Sequence, residues 1–252
     1  MEKQHRPIGM FDSGVGGISV LREAVAQLPH EHFIFYGDTA NAPYGTKTRQ
    51  QVLHLAGNVV EALLRHDVKA IVIACNTATS AAAAELRRQY DFPIIGMEPA
   101  LKPAARFHQD GIVLSLATPG TIGGEKYADL LKRYGDGVVS LPCPGLMEFA
   151  ERGELDTPAL HAYFDALLAP YRDRKIEAAV LGCTHYVFLK EALGKHLPGV
   201  PLLDGNLGTV RRLHDLLQER GELADEAKDG RVTLLSSGGR DAVRLMERLL
   251  NM

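Results

Sequence analysis

No run of apolar residues in this 252-residue chain is long enough to cross a membrane, so insertion into a bilayer is not expected. Cysteine is scarce, three in all, odd in number and widely spaced. That excludes a disulfide framework and points to the reducing cytoplasm. Neither sign of charge dominates: 28 Lys and Arg stand against 31 Asp and Glu, a net charge of −3 scattered along the chain. There is thus no basic stripe for nucleic acid and no polybasic segment for a lipid surface. The start, Met1-Glu-Lys-Gln-His-Arg-Pro7, runs directly into strand-like Ile8–Phe11 without the charged and apolar blocks of a secretory signal. Nucleotide fingerprints fail as well. In Asp12-Ser-Gly-Val-Gly-Gly17 the third glycine of a dinucleotide loop is replaced by Ser19, and Gly45-Thr-Lys-Thr48 lacks the upstream glycine of a phosphate loop. Cys75, Cys143, Cys183 and His185 contain no close ligand pair of the structural zinc kind. Neither a metal nor an organic cofactor is expected.

What the chain does have is rhythm. Short β-branched runs alternate with helical patterns: Ile8–Phe11, Phe33–Tyr36, Lys69–Ala74, Ile94–Gly96, Gly111–Ala117, Val138–Leu141, Ala178–Leu181, Pro201–Leu203 and Val232–Leu235. This alternation predicts an α/β protein of largely parallel sheets flanked by helices. Crossing points at 97–103 and 203–206 divide the chain into a first lobe of residues 1–97 plus 206–252 and a second of 98–205. The segment Arg240–Leu250 carries apolar residues at helical spacing and reads as a packing helix.

Two thiols occupy matching places in this pattern. Cys75 ends Ala70-Ile-Val-Ile-Ala-Cys75 and Cys183 ends Ala178-Ala-Val-Leu-Gly-Cys183, each at a strand-to-helix junction. Ligands of such folds bind beyond the carboxyl ends of strands. A helix N-terminus there favours thiolate. A lone cysteine in this place reads as buried structure; two, each followed by polar groups, read as a site. Asn76 and Thr77 follow the first thiol, Thr184 and His185 the second, and Asp12 and Ser13 stand at the tip of the first strand. These are donors for a carboxylate and a base for a proton. Cys143, between two prolines, lacks the junction setting and reads as a packed small residue. The residues by themselves leave open a two-thiol isomerase, a cysteine hydrolase with His185 as base, and a binding protein on the same fold.

Specific segments narrow the choice. Ile8-Gly-Met-Phe-Asp-Ser-Gly-Val-Gly-Gly17, Tyr36-Gly-Asp-Thr-Ala40 with Pro43-Tyr-Gly-Thr-Lys47, Ala74-Cys-Asn-Thr-Ala-Thr79 and Leu181-Gly-Cys-Thr-His-Tyr186 run in order over nearly the whole chain. In these the sequence resembles the glutamate racemases of the cofactor-independent aspartate/glutamate racemase superfamily. Weaker likeness lies in Pro93–Gly96 with Glu98-Pro99, and in Cys143-Pro144 with Glu148. Together with the two matched thiols, the resemblance implies two similar lobes with the active site in the cleft between them. It also implies Cys75 and Cys183 as the two catalytic bases, Cys183 being the one that takes the α-proton of L-glutamate. It makes Asp12, Glu148 and His185 the groups that tune or relay protons. Substrate contacts are expected from Asp12, Ser13, Tyr44, Gly45, Asn76, Thr77, Thr184 and His185, with Thr118 and Thr121 beside them. The implied product, D-glutamate, feeds peptidoglycan synthesis, hence cell-wall biogenesis and cell shape. A small-molecule substrate, a cytoplasmic location and a homodimer are expected, with no nucleic-acid or membrane partner. The chain begins almost at its first strand, so the extension through which a cell-wall precursor activates some relatives is not expected.

Overall fold

Strands buried on both faces need helices above and below them, and a parallel arrangement supplies both through its crossovers. The computed structural model, which describes residues 3–225 and 229–252, has this arrangement twice. Its strands are β1 (Ile8–Asp12), β2 (His32–Gly37), β3 (Ala70–Ile73), β4 (Ile94–Gly96), β5 (Ile112–Ala117), β6 (Val138–Pro142), β7 (Ile176–Leu181), β8 (Leu202–Leu203) and β9 (Arg231–Ser236). All nine lie where the apolar runs placed them, and every pairing is parallel.

One sheet has the order β4-β3-β1-β2-β9 and the other β6-β5-β7-β8. The central strands β1 and β5 are buried at every residue, whereas the edge strand β9 is half-exposed. After a register shift between Ile112 and Val113 in the β5–β7 pair, the ladders run in register to the carboxyl ends: Phe11 pairs with Tyr36 and Ile73, and Leu116 with Leu141 and Leu181. The carboxyl ends of β1, β3, β5 and β7 therefore deliver Asp12, Cys75, Thr118 and Cys183 to one level.

Helices complete the layers. On one face of the first sheet, helix Ile18–Gln27 packs with Asn206–Glu219 and Arg240–Leu250. On the other face lie Arg49–Leu64 and Asn76–Gln89. Helix Arg49–Leu64 starts with a full capping box, in which the Thr48 side chain and the Gln51 side chain each accept from the other's backbone amide. Helix Asn76–Gln89 is capped by the thiol itself: Cys75 has an extended backbone and its Sγ accepts the Ala78 amide at 3.4 Å. A sulfur here occupies the place of the usual Ser or Asp cap.

Hydrogen bonds tie the two sheets' loops across the cleft. The Thr184 hydroxyl donates to Asp12 Oδ2 at 2.7 Å, the Val15 amide to Glu151 Oε1 at 2.9 Å, and the Ser19 hydroxyl to the Thr184 carbonyl at 3.2 Å. The glycines of the loop after β1 permit this approach. A Cβ on Gly14 would overlap the Glu151 carboxylate, and one on Gly16 would overlap the His185 ring. No helix among the described residues is long and apolar enough to cross a membrane.

Candidate active site

Both thiols line one cavity between the sheets. Asp12, Ser13, Tyr44, Gly45, Asn76 and Thr77 reach it from the first sheet's side. Thr118, Thr121, Thr184 and His185 reach it from the second. Its free volume is about 10 Å³, room for roughly one water. The protein is closed around it.

Each thiol is backed by its own hydrogen-bonded route to a carboxylate. Cys75 Sγ donates to Ser13 Oγ at 3.7 Å, and Ser13 Oγ donates to Asp12 Oδ1 at 3.0 Å. Asp12 is fully buried and also accepts the Gly14 amide at 2.9 Å, in addition to the Thr184 hydroxyl. On the opposite side Cys183 Sγ lies 3.5 Å from His185 Nδ1, and His185 Nε2 lies 2.6 Å from Glu151 Oε1. The Gly16 amide also donates to His185 Nε2, at 3.1 Å, so this ring nitrogen meets both a backbone donor and a carboxylate.

The electrostatics of the two routes differ. Burial pushes the Cys75 thiol up to about 12, with the Asp12 charge adding to the effect and the Ala78 amide opposing it. Burial likewise raises Asp12, against the nearby His185 charge and the bonds from Thr184, Gly14 and Ser13. For His185, burial favours the neutral ring, but the bonds and charges of Cys183 and Glu151 outweigh it and lift the imidazole well above its ordinary 6.5. Glu151 responds in the opposite sense: burial disfavours its charge, yet the His185 bond and charge hold it below the ordinary carboxylate value. At neutral pH the first route thus holds a thiol, and the second an imidazolium–carboxylate pair beside a sulfur.

Two features of the lining face the cavity unsatisfied or self-satisfied. Both polar atoms of the Asn76 side chain are buried without a hydrogen-bond partner among the described residues. Thr77, Thr118 and Thr121 form a ring of hydroxyls, at 3.2 Å, 3.1 Å and 3.0 Å, that spans the two sides. Tyr44 is fixed from behind, where its hydroxyl donates to the buried Asp38 carboxylate at 2.6 Å.

Of the acids and bases anticipated from sequence, Glu148 alone does not line the cavity. It lies on the short helix Leu146–Glu151, where its Oε2 is buried without a hydrogen-bond partner among the described residues, and the residue one turn later, Glu151, meets His185. Sequence reasoning missed Glu151. A helical step of three from a marked acid was the available signal, with two candidate carboxylates on one short helix. Met147 and Gly182 also line the cavity without having been singled out. Cys143 packs in the core of the second sheet, its thiol directed at the Leu141 carbonyl at 3.2 Å and pushed up to about 12 by burial. No group of three or more His, Cys, Asp or Glu side chains among the described residues is placed to hold a metal ion.

A fold of two parallel sheets with paired thiols at their facing ends defines a class. Residues 11–213 match the Asp/Glu/Hydantoin racemase family, and the chain belongs to that family of isomerases. Within it the similarity is to glutamate racemases. That of Clostridium botulinum (strain Alaska E43 / Type E3) is 46% identical over 255 residues, covering 99% of both chains. Among solved structures, a glutamate racemase isoform from Bacillus anthracis superposes with a TM-score of 0.88 at 31% identity, over 99% of this chain and 95% of that one. The glutamate racemase from Francisella tularensis subsp. tularensis SCHU S4, solved in complex with D-glutamate, gives a TM-score of 0.84 at 30% identity, over 99% and 95%.

Proposed function

We propose that this protein interconverts L- and D-glutamate without a cofactor, by a two-base mechanism on Cys75 and Cys183, and that the D-glutamate serves peptidoglycan synthesis. The observation that carries the reading is the pair of buried thiols in one cavity, each with its own route to a carboxylate. Inversion at an α-carbon removes a proton from one face and returns one to the other, and two opposed groups meet that geometry directly where one cannot conveniently reach both faces.

In the L-to-D direction Cys183, as thiolate beside the His185 imidazolium, takes the α-proton; the Cα–H bond breaks, an S–H bond forms, and the electron pair stays on the substrate. The Cys75 thiol then gives its proton to the opposite face and becomes the thiolate. The exchange is redox-neutral, and the reverse direction swaps the roles. Asp12, through Ser13, supports proton movement at Cys75, and its carboxylate attracts the substrate ammonium. Glu151 keeps His185 charged and oriented. The unpartnered Asn76 amide and the hydroxyls of Ser13, Thr77 and Thr184 are suited to the substrate carboxylates and to charge that develops on them. Residues 1–97 with 206–252, and 98–205, are the two units that would part to admit substrate, because a cavity of about 10 Å³ does not hold glutamate in the closed form.

Polarimetric or circular-dichroism assay with no added cofactor tests the reading. Both glutamate enantiomers should be turned over, much faster than aspartate, and product formed in D₂O should carry deuterium at Cα. Retention of the original α-hydrogen at high yield would sink the two-base scheme. Comparable kcat/KM for aspartate would broaden the substrate assignment.

A further inference from the structure

A second cavity adjoins the catalytic one at Thr77, a member of the threonine ring. It has about 330 Å³ of free volume. Lys47, Arg49 and Ser80 line it from the first sheet's side; Gly120, Gly124 and Glu125 line it from the second. We propose that this cavity is a vestibule that captures the amino dicarboxylate before the cleft opens, with Lys47 and Arg49 receiving its carboxylates and Glu125 its ammonium. The proposal deepens the glutamate reading and rests on it.

Three observations point to it. First, no Lys or Arg lines the catalytic cavity, which instead contains the buried Asp12. The His185 charge in that lining is paired with the Glu151 carboxylate, so long-range attraction for a substrate with a net negative charge has to come from cations outside it. Second, Lys47 is half-buried and Arg49 exposed, and neither forms an ion pair with any described residue. Two cations and one acid on facing walls match the two carboxylates and one ammonium of the substrate. Third, the backbone that carries the two cations is anchored. Lys47 caps the turn Tyr44–Thr46, its amide bonded to the Tyr44 carbonyl at 3.1 Å, and Arg49 opens the helix anchored by the Thr48–Gln51 capping box. The same turn presents Tyr44 and Gly45 to the catalytic cavity, so the vestibule adjoins the wall the substrate must pass.

The threonine ring is the boundary. Each hydroxyl is engaged with the others, Thr77 from one side and Thr118 and Thr121 from the other. A carboxylate arriving from the vestibule offers acceptors in exchange for these bonds, which lets the two sides separate at little cost in unmet hydrogen bonds.

Steady-state racemisation of the wild type, the charge-removed double variant Lys47→Gln/Arg49→Gln and the single variant Arg49→Gln tests the vestibule. Arg172→Gln/Arg174→Gln is the control, since it removes the same net charge from exposed positions before β7, at the other end of the second sheet. The double variant should lose about three- to tenfold in kcat/KM with kcat retained, and its kcat/KM should fall less steeply with added KCl. The single variant should show a smaller loss of the same kind, and the control should match the wild type in both. Wild-type kcat/KM and salt dependence in the double variant would overturn the proposal, as would a loss confined to kcat or an equal loss in the control. Absence of glutamate turnover by the wild type would overturn the functional reading and the vestibule with it; turnover by the wild type with indifferent variants would overturn the vestibule alone.

Discussion

Replacing Glu151 by Gln keeps the shape of the side chain and removes the charge that faces His185. In the wild type, Glu151 Oε1 lies 2.6 Å from His185 Nε2, with side-chain exposures of 21% and 2%. A hydrogen bond between charged partners contributes about 1.5–3 kcal/mol. Glutamine can still accept from the ring but without the negative charge, so the imidazole of the variant holds its proton less tightly. His185 is lifted well above 6.5 in the wild type, so in the variant it loses its proton at a lower pH, and the alkaline limb of kcat/KM moves toward acid. L- and D-glutamate have equal free energy, so kcat/KM must fall by the same factor in both directions. The loss in kcat should be larger from L-glutamate, where Cys183 is the abstracting base. The stability consequence has a definite sign on each side. The raised His185 contributes fully below 6.5 and loses its contribution as pH rises through its lifted value; the depressed Glu151 contributes above 4.5 and loses it as pH falls through its lowered value. Wild type and variant should therefore differ most in urea midpoint between 4.5 and 6.5. A bell-shaped profile that does not move in Glu151→Gln would refute the reasoning, as would an equal loss in Glu148→Gln.

Cys75→Ala and Cys183→Ala should each abolish racemisation in folded protein, while Cys143→Ala stays active; substantial turnover by either of the first two would rule out a two-base mechanism. Lys69→Met tests the buried ion pair at the far end of the first sheet, where Lys69 Nζ lies 2.6 Å from Glu31 Oε2 and also donates to the carbonyls of Gln4 at 2.9 Å and Glu222 at 2.7 Å. Both side chains are almost fully buried, so the variant strands the Glu31 charge and should lose about 3–5 kcal/mol by urea denaturation. A loss under about 1 kcal/mol would mean that the site relaxes or hydrates.

Local chemistry alone determined a large part of this protein. The inner strands β1, β3, β5 and β7 are short, largely apolar runs, and burial on both faces of a parallel sheet leaves that imprint in the sequence directly. The two thiols were legible for the same reason: a residue that ends such a run and starts a helix lies at the carboxyl edge of a sheet, wherever the sheet itself lies. Asp12, Asn76 and Thr184 are neighbours in sequence of those strand ends, so their arrival in the cavity needed no knowledge of long-range packing. Glu151 is different. It and Glu148 share one turn of the helix Leu146–Glu151, and local propensity treats them alike. Which of them meets His185 depends on how that helix is rotated against the segment Thr184–Leu189, and on glycines at positions 14 and 16 that let the loop after β1 close over the pair. Met147, the Thr77–Thr118–Thr121 ring and the neighbouring vestibule arise likewise where loops from two sheets meet. Hydrophobic periodicity records which side of an element is buried but not what is packed against it, so only the tertiary structure decided them.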